Sequence, residues 1–175
     1  MRYAAAGENS IEAIRLAKRA GFKAIETDVR LTADSVLVAM HDHTLRRTCL
    51  NPDGSRVDKS FKVADFTMEQ LKKDFVLRSP KEEMRTQIPT LEEYLKVCKE
   101  EGLLVFIEPK LKDTTGLHYL DIMACADTIF GRGNYIITSN NFANGVIRDS
   151  LGIKDVPLMG ILYQTTYEDI ALKPD

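Results

Sequence analysis

A chain of 175 residues, 44% hydrophobic and 29% charged, can bury one domain's core without disulfide or metal staples. Its net charge of -2, with no run of Lys and Arg, excludes a general electrostatic attraction to nucleic acid. Cys49, Cys98 and Cys125 show neither CxxC pairing nor a histidine at zinc-ligand spacing, so buried thiols in a reducing compartment fit better than a secreted scaffold. No stretch is apolar enough to span a bilayer and the N-terminus carries no charged-then-apolar leader, so a cytoplasmic protein without stable membrane insertion is expected.

The first element reads as a helix, with Asn9 as cap, Glu12 completing a capping box, and Ile11, Ile14, Ala17 and Ala20 at helical spacing. Gly21 stands where a helix C-terminus favours a left-handed residue. A strand follows from Ala24 to Leu31, with Glu26, Asp28 and Arg30 on one face and Ile25, Thr27, Val29 and Leu31 on the other. Val36 to Met40 is almost wholly apolar, reads as a strand buried on both faces, and ends at His41-Asp42-His43. Residues 44 to 88 look irregular and polar, with a turn at Asn51-Pro52-Asp53-Gly54 and a short helix near Thr67 to Asp74. Such a length predicts an insertion, and residues 49–87 are read as a lid within a single domain of residues 1–175. Thr90 and Glu93 then form a capping box before the apolar face Leu91, Tyr94, Leu95 and Cys98, and Gly102 ends that helix. Strand Leu103 to Ile107 delivers Glu108 and Lys110. A helix at Leu117 to Phe130, a strand at Tyr135 to Thr138, a helix at Phe142 to Leu151 and a strand at Pro157 to Tyr163 complete the alternation, and Tyr167 to Leu172 begins another helix.

Strands alternating with helices predict a parallel sheet covered by helices. No GxGxxG or P-loop follows the first strand, which favours a TIM (β/α) barrel, here incomplete with about six strands, over an open doubly wound sheet.

Glu26 and Asp28, then His41, then Glu108 and Lys110 fall on or just after successive apolar strands. Strand C-termini form the active-site mouth of such barrels, and three carboxylates meeting there repel unless a cation lies between them. Oxygen-only ligation selects a hard ion, Mg²⁺ or Ca²⁺. A nearby histidine suits proton transfer and a lysine suits an anionic substrate oxygen, a set closer to phosphoryl chemistry than to sugar hydrolysis. Singly, each residue has a plainer reading: a solvated strand face for Glu26 and Asp28, a strand cap for His41, an ordinary loop pair for Glu108 and Lys110.

Five segments resemble one family. Glu8-Asn9-Ser10-Ile11-Glu12-Ala13-Ile14 is similar to the helix after the first barrel strand of glycerophosphodiester phosphodiesterases. Glu26-Thr27-Asp28-Val29-Arg30-Leu31-Thr32 resembles the family's metal-binding strand, and Met40-His41-Asp42-His43-Thr44-Leu45-Arg46-Arg47-Thr48 its M-H-D motif. Ile88-Pro89-Thr90-Leu91-Glu92-Glu93 resembles the segment closing the family's insertion, and Ile107-Glu108-Pro109-Lys110 its I-E-I-K. The resemblance implies a TIM barrel that hydrolyses a glycerophosphodiester, its small-molecule substrate, to an alcohol and glycerol 3-phosphate with a divalent cation. It implies Glu26, Asp28 and Glu108 as metal ligands, His41 as one of two acid/base histidines, and Lys110 on the phosphate and in catalysis.

At the N-terminus the family carries H-R-G. Here Met1-Arg2-Tyr3-Ala4 stands there, so Arg2 is expected to bind phosphate while Met1 occupies the other histidine's place. The sequence ends after the sixth strand, and a full barrel takes about 250 residues. Two alternatives to an active hydrolase follow. One is a truncated or degenerate member that binds metal or phosphate without efficient catalysis. The other is a phospholipase D-type enzyme sharing the metal trio. Edge strands left open would be covered by homo-oligomerisation or a rearranged closure.

Overall fold

The structure, a computed structural model, describes residues 5–111, 116–139 and 142–160. Arg2, and the end of the last predicted strand and helix beyond residue 160, lie outside them.

Helix α1 (Ile11–Arg19) begins at Ser10, whose hydroxyl accepts a hydrogen bond from the Ala13 amide. The expected cap, Asn9, instead takes a left-handed backbone conformation, φ 53°, which asparagine tolerates better than most residues. That turn frees its side chain for the neighbouring strand, as described below. The chain then enters β1 (Ala24–Leu31) and turns back through Ser35 into β2 (Leu37–Ala39). This hairpin corrects the expectation of a parallel sheet at its edge, because β2 runs antiparallel to β1, with Val29 opposite Ala39 and Leu31 opposite Leu37.

After β2 come β3 (Cys49–Leu50), α2 (Met68–Asp74) and β4 (Val76–Leu77), with short 3₁₀ turns at Val63–Asp65 and Glu82–Met84. Strands β3 and β4 pair as a separate antiparallel ribbon. Residues 44–88 are therefore not irregular. Their buried Leu45, Cys49, Val57, Val63, Met68, Leu71, Phe75, Leu77 and Ile88 form a second apolar core together with Val38 and Met40 of the hairpin. Phe66 packs edge-on against both Phe61 and Phe75 at its margin, with centroids 5.5 and 5.2 Å apart.

Three crossovers follow. Helix α3 (Leu91–Glu100) leads to β5 (Leu104–Pro109), α4 (Leu117–Phe130) to β6 (Ile136–Ser139), and α5 (Phe142–Ser150) to β7 (Leu158–Gly160). The capping box of Thr90 and Glu93 starts α3 as predicted, and Gly102, φ 63°, ends it. One sheet, ordered β2-β1-β5-β6-β7, results, and β1, β5, β6 and β7 are parallel.

One face of the sheet is dry. Val29, Val105, Ile107 and Ile137 pack there against Ile14 of α1, Tyr94, Leu95 and Cys98 of α3, and Ile122 and Met123 of α4. The other face carries the carboxylates. Among the described residues the sheet does not close on itself, and no helix is long and apolar enough to cross a membrane.

Candidate active site

Strand pairing builds the site. Parallel register sets Asp28 directly opposite Glu108 and Glu26 opposite Phe106, so alternation puts all three carboxylates on one face. Ligand oxygens of Glu26, Asp28 and Glu108 lie within 4.8 Å of one another, with Asp28 and Glu108 buried and Glu26 exposed. Lys110, two residues beyond Glu108, folds back over the pair: Nζ is 2.6 Å from Glu108 Oε1 and 3.5 Å from Asp28 Oδ1.

One ammonium does not balance three carboxylates. Burial pushes the Glu26 carboxyl up to about 7, and the negative charges of Asp28 and Glu108 add to the effect. Burial also pulls Lys110 down, but Glu108 and Asp28 outweigh it and hold the ammonium above its ordinary value. The donor set is thus oxygen-only, clustered and under-neutralised, which suits a hard divalent cation.

The hairpin brings in the histidine. Because β2 is antiparallel, its end returns to the middle of β1, and the Met40 amide donates to the Asp28 carbonyl at 2.9 Å. His41 then lines a cavity of about 670 Å³ together with Glu26, Asp28, Glu8, Asp42, Arg47 and Tyr94. Arg30 fixes the main chain there. Its Nε and Nη2 donate to the His41 carbonyl at 2.8 and 2.6 Å, and its Nη1 donates to the Lys110 carbonyl at 2.7 Å. The loop carrying the histidine is thereby tied to the tip of the strand carrying the lysine.

Sequence reasoning gave four neighbours no role at the site. Asn9 Nδ2 donates to Asp28 Oδ2 at 3.1 Å while its Oδ1 accepts from Thr27 Oγ1 at 3.0 Å, so this residue orients a site carboxylate. Arg47 Nε donates to Asp42 Oδ2 at 2.6 Å, and its two Nη atoms reach Glu8 at 2.7 and 2.6 Å. Chain order gives no cue that residues 39 apart form this ion pair. Asp42, Arg47 and Glu8 were visible only as parts of motifs, and Asn9 was read as a helix cap. His43 is exposed and does not line the cavity, and His118 lies beside Asp121 on α4.

A model of the Glycerophosphoryl diester phosphodiesterase family matches residues 1–144. The glycerophosphodiester phosphodiesterase of Caldanaerobacter subterraneus subsp. tengcongensis is 32% identical over 160 residues, covering 90% of this chain and 61% of that protein. Mouse glycerophosphodiester phosphodiesterase 1 is 36% identical over 110 residues, covering 60% of this chain and 30% of that one. Among solved structures, an Oleispira antarctica phosphodiesterase in complex with the product sn-glycerol-3-phosphate superposes with a TM-score of 0.69 at 21% identity, covering 95% of this chain and 65% of that one. The chain spans less than two thirds of the length of each of these relatives. The structural likeness establishes the fold as that of a TIM barrel, left open among the described residues. Matched by the family model over most of its length, the chain belongs to the glycerophosphoryl diester phosphodiesterase family.

Proposed function

We propose that the chain is a phosphoric diester hydrolase that cleaves glycerophosphodiesters to an alcohol and glycerol 3-phosphate. The observation that carries this reading is the convergence of Glu26, Asp28 and Glu108 with Lys110 in one under-neutralised cluster beside His41. Those three carboxylates would hold Mg²⁺ or Ca²⁺, which when bound supplies Lewis-acid polarisation and charge neutralisation. The product carried by the Oleispira relative supports the substrate class.

Within this reading each residue has a separate task. The Lys110 ammonium pairs with a phosphate oxygen, and Arg2 is assigned to the same phosphate by the resemblance at the N-terminus. His41 exchanges the proton of the attacking hydroxyl or of the leaving oxygen. Residues 1–175 form one domain, within which residues 49–87 are proposed as a covering lid, on their length and their place directly after the His41–Arg47 segment. Cytoplasmic location, absence of nucleic-acid partners and homo-oligomerisation through open strand edges belong to the same proposal.

The test is release of glycerol 3-phosphate from glycerophosphocholine with Mg²⁺ or Ca²⁺, comparing the chain with His41→Ala. We expect cation-dependent turnover that falls about 10²–10⁴-fold in the variant. Equal activity in both would show His41 wrongly assigned, and no turnover in either would favour the degenerate reading.

A further inference from the structure

His41 is half exposed, its side chain 50% accessible, yet its ring is not free to turn. Nδ1 lies 2.7 Å from Asp42 Oδ1. An ionised carboxylate only accepts, so in that contact Nδ1 carries the hydrogen. Asp42 is itself held. Arg47 donates to both of its oxygens, from Nε to Oδ2 at 2.6 Å and from Nη2 to Oδ1 at 2.8 Å. Arg47 is then gripped from behind by both oxygens of Glu8, one residue before Asn9. The order is imidazole, carboxylate, guanidinium, carboxylate, with each link a charged or bidentate hydrogen bond, the geometry in which an exposed pair keeps its shape.

Glu8, His41 and Asp42 also bring potential ligand atoms within 4.8 Å of one another, which raises a second cation site. The Arg47 guanidinium already binds both carboxylates, so a cation would have to displace it. The cluster is built for an arginine.

We propose that Asp42 is the positioning residue of His41: it fixes the imidazole as the Nδ1–H tautomer and turns Nε2 toward the cavity, with Arg47 and Glu8 holding Asp42 in that pose. A neutral ring so held presents its lone pair at Nε2, where it can take a proton. The partner fixing the other nitrogen decides which nitrogen works, and Arg30 holds the main chain at the same residue, so the ring torsion is what Asp42 controls. The catalytic part of this proposal rests on the reading of His41 as an acid/base group; the tautomer part does not.

The test therefore has two arms on the full chain. Nitrogen-15 NMR of the His41 ring at pH 9, where imidazole is neutral, is expected to show Nδ1 protonated in the parent and a shift toward the Nε2–H form in Asp42→Asn. In glycerophosphocholine hydrolysis with Mg²⁺, Asp42→Asn is expected to lower kcat about 10–100-fold with KM little changed, and Glu8→Gln to lower it less. A parent ring protonated at Nε2 overturns the proposal, as does an Asp42→Asn enzyme with parental kcat when His41→Ala is inactive. An active His41→Ala sinks the catalytic reading instead, while the NMR arm still decides the tautomer. If Asp42→Asn does not fold, Asp42→Ala, which also removes the carboxylate facing Nδ1, carries the same NMR expectation.

Discussion

Glu26 and Asp42 line the same cavity, yet their carboxyl groups are driven in opposite directions, the first up to about 7 and the second down to about 2. Burial beside two further carboxylates raises Glu26, and the Arg47 hydrogen bonds lower Asp42. One cluster has more negative charge than the protein neutralises, and the other has each carboxylate gripped by a guanidinium. The difference separates a place for a cation from a brace for a side chain, although both are groups of acidic residues near one histidine. Paired sites whose protonation is pushed apart are a recurring mark of acid/base machinery.

The strongest way to break this comparison is to remove a carboxylate from the under-neutralised side. Glu108→Gln should lower turnover of glycerophosphocholine about 10²–10³-fold, the scale of one lost preorganised electrostatic group. It should also abolish the rise in Tm that Mg²⁺ or Ca²⁺ gives the parent, read by thermal melts with and without cation. A mutant that still gains Tm on adding cation would show that Glu108 is not a ligand.

A smaller effect has the opposite sign on stability. The folded pKa of Glu26 is raised from 4.5 to about 7, so native stability is lost as pH climbs through that window and the group ionises. That difference corresponds to about 3 kcal/mol at 1.36 kcal/mol per unit, discounted to about 1–2 kcal/mol because Glu26 is exposed to solvent. Glu26→Gln, which cannot ionise, should therefore stabilise the chelated protein by about 1–2 kcal/mol at pH 8 and change little at pH 4. Denaturant titrations at the two pH values check it. A destabilised mutant at pH 8 would mean the cluster is already balanced without a cation.

The under-neutralised cluster was legible in the sequence and the braced one was not, for a physical reason. Period-two alternation fixes Glu26 and Asp28 on one face, and an apolar run ending in Glu108 fixes the next strand, so parallel register does the rest. Arg47 and Glu8 meet through the turn after β2 and the left-handed Asn9, which depend on tertiary contacts. The direction of β2 was missed because an apolar run looks the same whichever way it pairs, although a connection of a few residues between strands favours a hairpin over a crossover. The second core of residues 44–88 escaped notice because its apolar residues, such as Val57, Val63, Leu71 and Leu77, are scattered at no single period.

The braced cluster gives the smallest predicted effect, and pH separates charge from shape. Asp42 is held at about 2 against an ordinary 3.8, so its contribution is fully present above pH 3.8 and is lost as pH falls through about 2. The shift corresponds to about 2 kcal/mol, discounted to about 1 kcal/mol because its partner Arg47 is 53% exposed. Parent and Asp42→Asn should thus differ by about 1 kcal/mol in urea unfolding at pH 6, and the gap should close near pH 2. High salt should narrow it at pH 6, since half-exposed pairs are screened. A gap that persists unchanged at pH 2 would mean Asp42 acts through the shape of its hydrogen bonds alone, and the opposition between the two clusters would then be one of geometry instead of charge.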